Sequence, residues 1–396
     1  MSASIFPGSR AAPAAASLPA PYVSVVICTL DESQAIGGVI DELVEALGEI
    51  THEIIVVDDS ADERTAHAVR GRMRDLPQVR LIHRRQAGGL ASAAITGWDA
   101  AHGVTLAIMD GDGQHDPLLI GRMVARLVRT QVDVVVASRY LNGGGSGLGG
   151  LRHLVSRAGT GLCAAVLGLR LADPLSGCFV MRRDWYEAVR PRLSGLGFKI
   201  LIDIVASGGR PKLGQVATQL RARAGGQSKL DFRVAFDLLA LLTEKRTRGL
   251  LPARMSQFLF VGLTGLAVHL AVLGLSQTLA APFWAGQSLA ILTAMSWNFV
   301  LNNGLTFRDR RLRGAAAWRG LLSFYVACLS GAALSEGLGA GLSAIGAHWI
   351  LAGVVGALAG AFWNYRAVQR LTWREGARRV ARAGAALGRA ITGNGR

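Results

Sequence analysis

Asp110-Gly111-Asp112, with Gln114 two residues further on, is the stretch of this chain best suited to chemistry. Two carboxylates at i and i+2 followed by an amide make an oxygen-rich cluster. Such a cluster suits a hard divalent cation, Mg²⁺ or Mn²⁺, that is also held by substrate phosphates. The stretch follows the apolar run Val104 to Met109, so the acids stand where a strand should end, which is where ligands bind in an α/β sheet. Asp and Gly are also turn formers, and the tripeptide alone reads equally as a strand-to-loop turn.

The elements that must position these acids can be read from hydrophobic period. Apolar runs predict strands at 23–28, 53–59, 79–83, 104–109 and 132–137, and amphipathic spacing predicts helices at 36–47, 90–101 and 118–129. The alternation argues for a parallel, doubly wound sheet whose loops gather at one edge. The first, second and fourth strands end in Thr29-Leu30-Asp31-Glu32, Asp58-Asp59-Ser60 and Asp110-Gly111-Asp112. Asp31 and Ser60 serve equally well as helix N-caps. Three converging acidic ends also offer acceptors for ribose hydroxyls and base N–H groups, leaving the last pair for a metal. Gly88-Gly89, opening a helix with Arg84 and Arg85 beside it, suits an anion.

Composition divides the chain. It has 396 residues, 51% of them hydrophobic, with a net charge of +16. Residues 22–230 hold 24 Lys/Arg against 21 Asp/Glu, whereas residues 231–396 hold 18 against 6. The excess lies beside apolar spans, the pattern of cytoplasmic-face membrane anchoring rather than of a nucleic-acid groove. Cys28, Cys163, Cys178 and Cys328 have no metal-ligand spacing and read as free thiols in a reducing compartment. Residues 1–21 lack the apolar core of a secretory signal and read as a disordered tail.

In order along the chain come Cys-Thr-Leu-Asp-Glu at 28–32, Val-Asp-Asp-Ser at 57–60, Gly-Leu-Ala-Ser-Ala at 89–93, Asp-Gly-Asp-Gly-Gln-His at 110–115 and Ser-Arg-Tyr at 138–140. After them stand Asp-Pro-Leu-Ser-Gly-Cys-Phe at 173–179, Gly-Phe-Lys-Ile-Leu at 197–201 and Arg-Ala-Gly-Gly-Gln-Ser-Lys-Leu at 223–230. This ordered set resembles family 2 glycosyltransferases, and within them the dolichol-phosphate (polyprenyl-phosphate) mannose synthases. The resemblance implies a GT-A domain with a Rossmann-like, mostly parallel sheet over residues 22–230, a nucleotide-sugar donor and Mg²⁺ or Mn²⁺.

Carried over residue by residue, it implies that Cys28, Leu30, Glu32, Val57, Asp58, Asp59, Asp110, Gly111, Asp112, Arg223 and Lys229 meet the nucleotide sugar. It implies that Asp110, Asp112 and Gln114 hold the metal, and that Arg139, Arg152, Ser156 and Ser228 hold the lipid phosphate. Asp112, Arg139 and Lys229 would carry catalysis. Where the family usually has Pro-Thr-Tyr-Asn-Glu, this chain has Cys28-Thr29-Leu30-Asp31-Glu32, without the Tyr ring. UDP-glucose therefore stands as the alternative to GDP-mannose. Gly111 replaces a usual Ala and Gln227 a usual Glu, both expected to be tolerated. A lipid phosphate is already ionised at neutral pH, so no strong base is needed. The site has to supply charge neutralisation and positioning, and single displacement implies inversion.

Residues 231–253 read as an interfacial amphipathic helix and linker, or as a helix packed on the catalytic domain. Four apolar stretches follow, at 256–280, 283–301, 321–345 and 349–365, each near the ~20 residues a bilayer requires. Their basic connections place both termini in the cytoplasm, with the 375–396 tail among them, and the protein in the cell inner membrane. Trp297-Asn298 with Thr306-Phe307 recurs as Trp363-Asn364 with Thr372-Trp373, which predicts two similar hairpins. This half, residues 254–374, resembles the GtrA-like membrane domain. His269 and Glu336 fall within spans. The expected function is transfer of a hexose to a polyprenyl monophosphate in a lipid bilayer, without nucleic acid. A lipid-linked-sugar flippase is the rival from another class, and oligomeric state stays open.

Overall fold

The computed structural model describes residues 20–84, 88–141, 161, 163–166, 168, 171–195, 197, 199–221 and 232–373. They fall into two compact units, the described residues within 20–164, 171–195 and 199–221 forming one and those within 165–168, 197 and 232–373 the other.

In the first unit, β1 Val23–Thr29, α1 Ile36–Leu47, β2 His52–Asp58, α2 Arg64–Met73 and β3 Val79–His83 are followed by α3 Leu90–Asp99, β4 Thr105–Asp110, α4 Leu118–Thr130 and β5 Val134–Ser138. Then come β6 Phe179–Arg182, α5 Arg183–Val189, α6 Ile200–Ala206 and β7 Leu213–Ala217. The strands form one sheet in the order β3-β2-β1-β4-β6-β5-β7, in which β6 runs antiparallel to β4 and β5 and the other pairings are parallel. The sheet is therefore mostly parallel, as the resemblance implies, and becomes mixed through β6 alone, which is inserted between β4 and β5.

Both sheet faces are covered, which is why the strands read as unbroken apolar runs. Val23, Val25 and Ile27 of β1 pack with α1, α2 and α4, whereas Val26 and Cys28 face α3, Ile200, Leu201 and Ile204. Helix α3 lies close on the strands at Gly97, where an added Cβ would sit 2.5 Å from Val26 Cγ1. At the N-terminal ends of the strands, the buried Glu53 accepts hydrogen bonds from Ser24 Oγ (2.7 Å), His102 N (2.6 Å) and Arg80 (2.8 Å). Burial opposes its charge, but these donors outweigh it and hold its pKa below the usual 4.5.

The second unit is helical: α7 Phe232–Arg246, α8 Ala253–Thr278, α9 Phe283–Leu301, α10 Ala315–Ala344 and α11 Trp349–Leu371. Helices α8 and α10 are long and apolar enough to cross a membrane. Helix α8 pairs with α9 and α10 with α11, and the sequence repeat becomes a geometric one. Trp297 Nε1 donates to Thr264 Oγ1 (3.1 Å) and Trp363 Nε1 to Ser330 Oγ (2.8 Å), each 33 residues back across its hairpin. The next residue in each hairpin, Asn298 or Asn364, packs where a Cβ on Gly265 or Gly331 would overlap its amide. The repeat partners Phe307 and Trp373 stack on one another, centroids 4.3 Å apart. A π-helical turn, Asn302–Thr306, ends α9. Helix α7 is tied to this unit by Asp237, which accepts from Gln257 (2.8 Å) and from both arms of Arg308 (3.2 and 2.7 Å).

Candidate active site

Parallel pairing brings the expected strand ends together. Thr29 is in register with Asp58, and Cys28 with both Val57 and Asp110, so the C-terminal ends of β1, β2 and β4 form one edge. The side chains of Cys28 and Val57 point into the core. Burial, followed by the Asp110 charge, raises the Cys28 thiol well above its usual range.

The two adjacent acids at the end of β2, Asp58 within it and Asp59 just after, do different work. Asp58 is fully buried and braces the edge: Oδ1 accepts from Thr29 Oγ1 (3.1 Å), Ser60 N (3.1 Å) and Ser60 Oγ (2.6 Å), and His83 Nδ1 lies 2.9 Å from Oδ2. Asp59 is held bidentately by Arg84, with both contacts 2.6 Å, and Arg84 also donates to Ser92 Oγ (2.8 Å). Arg84, expected beside an anion at the α3 entry, is thus joined to the carboxylate just after β2. Neither Asp31 nor Ser60 caps a helix, since Ala35 and Glu63 hold the N-cap positions of α1 and α2. Instead Asp31 N donates to Ser60 Oγ at 2.9 Å, with Asp31 at φ 62°. That left-handed conformation is one Asn and Asp tolerate better than other side chains. Leu30, at the usual Tyr position, is 58% exposed, and Glu32 is half-buried.

After β4 the chain turns tightly. Gly113 has φ 75°, and an added Cβ on Gly111 would sit 2.7 Å from Thr29 Cγ2, so glycine gives this turn its close fit against β1. The Asp110 side chain is 38% exposed, with His115 Nε2 3.4 Å from Oδ2. Asp112 is buried at 5% exposure and its Oδ1 accepts from Gln114 N (3.1 Å). Gln114 is joined to Arg221: Arg221 N donates to Gln114 O (2.9 Å) and Gln114 Nε2 to Arg221 O (3.4 Å). With its amide nitrogen so engaged, the Gln114 side-chain oxygen is the atom left for a cation.

At the end of β5, Arg139 grips Asp173 through Nε (2.7 Å) and Nη2 (3.0 Å). Burial works against the guanidinium charge, but Asp173 more than offsets it, and the Arg139 pKa rises. The Asp173 loop reaches β4 through Gly177, where a Cβ would sit 2.7 Å from Asp110 Oδ2. Asp173 and Gly177 lie in the 173–179 motif and Lys199 in the 197–201 motif, but local sequence marks none of the three for a role. Arg152, Ser156, Arg223, Ser228 and Lys229 lie outside the described residues.

The donor set fits a hard cation. Among the described residues, no group of three or more His, Cys, Asp or Glu gathers at ligand distances. The protein would therefore offer two carboxylates and an amide oxygen, leaving the remaining positions to substrate phosphate and water, which is how Mg²⁺ is commonly held.

A family model described as glycosyl transferase family 2 matches residues 24–190, and one described as GtrA/DPMS, transmembrane domain, matches residues 257–373. A dolichol-phosphate mannosyltransferase of Pyrococcus furiosus is 32% identical over 355 residues, which cover 89% of this chain and 99% of that protein. The Saccharomyces cerevisiae protein of the same name is 29% identical over 48% of this chain and 73% of its own. A dodecaprenyl-phosphate galacturonate synthase of Rhizobium johnstonii is 29% identical over 62% of this chain and 73% of its own. Among solved structures, glucosyl-3-phosphoglycerate synthase from Mycobacterium tuberculosis, in complex with Mn²⁺, UDP-glucose and phosphoglyceric acid, superposes with a TM-score of 0.45 at 20% identity, covering 57% of this chain and 80% of that one. On the strength of a 32% identical match along almost the whole of the Pyrococcus protein, and of the two family models matched in succession along this chain, the chain belongs to the dolichol-phosphate mannosyltransferase family of glycosyltransferases.

Proposed function

We propose that this enzyme transfers mannose from GDP-mannose to a dolichyl or undecaprenyl monophosphate at the cytoplasmic face of the inner membrane, with inversion at the anomeric carbon. The observation that carries the reading is the shared edge: the acids ending β2 and β4 lie along it, and on the far side of Asp110 the Asp173 loop, through Gly177, brings the Arg139–Asp173 pair toward β4. A nucleotide can be received at one side of that edge and a second anion at the other.

Asp59, presented by Arg84, would accept from the base or ribose, with Asp58 keeping the strand end rigid and Leu30 and Glu32 beside it. Asp110, Asp112 and Gln114 would hold Mg²⁺ or Mn²⁺, which when bound neutralises charge on the leaving diphosphate. Arg223 and Lys229 would lie along that diphosphate. Arg139, with Arg152, Ser156 and Ser228, would orient the lipid phosphate; being ionised already, its oxygen needs alignment rather than a base. This is catalysis by positioning and fixed charge, in which cations draw two anions together and hold them in line.

All four long helices would span the bilayer, α9 and α11 as the second arms of the two hairpins. The repeat geometry supports this, as do Trp284 and Trp349, both 74% exposed near the turns between hairpin arms, where interfacial aromatics are expected. Helix α7 would lie in the cytoplasmic interface, with both termini on that side. In detergent with undecaprenyl phosphate and Mn²⁺, GDP-mannose should be consumed at least tenfold faster than UDP-glucose. Equal or reversed rates would move the assignment to the glucosyl donor.

A further inference from the structure

The described cations at the site edge are matched with carboxylates. Arg84 is bonded to Asp59, Arg139 to Asp173, and Arg221 to Glu42 and Asp116. Lys199 differs. Half-buried at the N-terminal side of α6, its side chain forms no ion pair or hydrogen bond among the described residues, yet its ammonium lies in the field of Arg139, Asp173 and Asp110. Burial first, and then the like charge of Arg139, lowers its pKa, so the charge is kept there at a cost.

Its placement is fixed from behind. Asp203, buried in α6, accepts from Ser194 N, Ser194 Oγ and Gly195 N at 2.9, 2.9 and 3.2 Å, and Ser207 Oγ lies 3.3 Å from its other oxygen. Asp203 N donates back to Lys199 O at 3.3 Å, and Ile200, Leu201 and Ile204 anchor the helix in the core. The turn that delivers the lysine is thus braced by a buried carboxylate. A half-buried ammonium with no direct partner among the described residues is placed to meet an arriving anion.

Resting on the transfer reaction proposed above, we propose that Lys199 is a substrate-binding residue whose ammonium contacts a phosphoryl oxygen, of the donor diphosphate or of the lipid phosphate. A charge-assisted contact of that kind is worth roughly tenfold or more in affinity.

The test uses full-length Lys199→Met and Lys199→Arg, with calorimetric GDP titration in Mn²⁺ and steady-state kinetics on a short isoprenyl phosphate. Lys199→Met should lower kcat/KM at least tenfold, with Lys199→Arg recovering part of it. A tenfold weaker GDP Kd assigns the contact to the donor, and a tenfold higher acceptor KM with GDP binding unchanged assigns it to the lipid phosphate. Both constants within twofold of wild type would overturn the inference. Should Lys199→Met not fold, acylation of the wild-type amine read by peptide mass spectrometry decides: protection by GDP or isoprenyl phosphate supports the contact, and protection by neither refutes it. Wild-type protein that neither binds GDP nor transfers would refute the functional reading itself, a separate result from a wild-type enzyme matched by Lys199→Met.

Discussion

Gly177→Ala looks conservative in sequence and should nevertheless damage the enzyme. Gly177 does not sit in the left-handed region, so alanine meets no backbone penalty. Its Cβ, however, would lie 2.7 Å from Asp110 Oδ2 and 3.1 Å from Oδ1, against an ordinary contact of 3.4 Å or more. The carboxylate or the loop must therefore retreat by about 0.7 Å, and a misplacement of about 1 Å in a reacting constellation costs about 10²-fold. A loss of roughly 30- to 100-fold in kcat/KM is expected, about 2–3 kcal/mol of barrier. Mn²⁺ affinity, measured by electron paramagnetic resonance without substrate, should fall in parallel. Gly209→Ala, where the added carbon meets nothing within 4 Å, is the control and should be silent. If Gly177→Ala kept wild-type turnover and Mn²⁺ affinity, Asp110 would not be a critically placed ligand.

Arg84→Ala leaves Asp59 enclosed and unpaired, so GDP affinity by calorimetry should weaken at least tenfold; Arg84→Lys should rescue little, because an ammonium cannot reproduce the two-armed grip. Glu53→Gln should cost roughly 2 kcal/mol, read as a fall of about 4–8 °C in the melting of the catalytic unit. Because the folded Glu53 carboxyl titrates below its usual 4.5, its contribution is present above that value and lost as pH falls through the lower, folded one. Wild type but not Glu53→Gln should lose this increment on acidification. Arg308→Ala strips Asp237 of its two-armed partner, and hydrogen exchange in α7 should accelerate while α10 and α11 stay protected.

Much of the scaffold was legible because its signals are local. Strand β3 and helices α1 and α9 have their expected bounds, set by continuous apolar runs or strong amphipathic period. Helix α2 was not foreseen: of its ten residues only Thr65, Ala66 and Val69 are buried, so charge outweighs periodicity. Strand β6 escaped because pairing order across a sheet is not written in the strand itself. The site followed the same division. Acids at strand ends announced Asp59, Asp110 and Asp112. Local sequence could not tell that Asp59 rather than Asp58 takes Arg84, 25 residues away, or that Arg139 closes on Asp173, 34 residues on. Nor does local sequence reveal how closely Gly111 approaches Thr29, which stands in the neighbouring strand, β1.

The most direct test of the central claim is the product itself. Full-length protein in liposomes containing undecaprenyl phosphate, given radiolabelled GDP-mannose and Mn²⁺, should yield a single mannosyl-phosphoryl lipid, β-linked because one displacement inverts the α-linked donor. Chelator should abolish its formation, and so should Asp112→Asn. An α-linked product, free mannose alone, or undiminished lipid product in excess chelator would contradict the account.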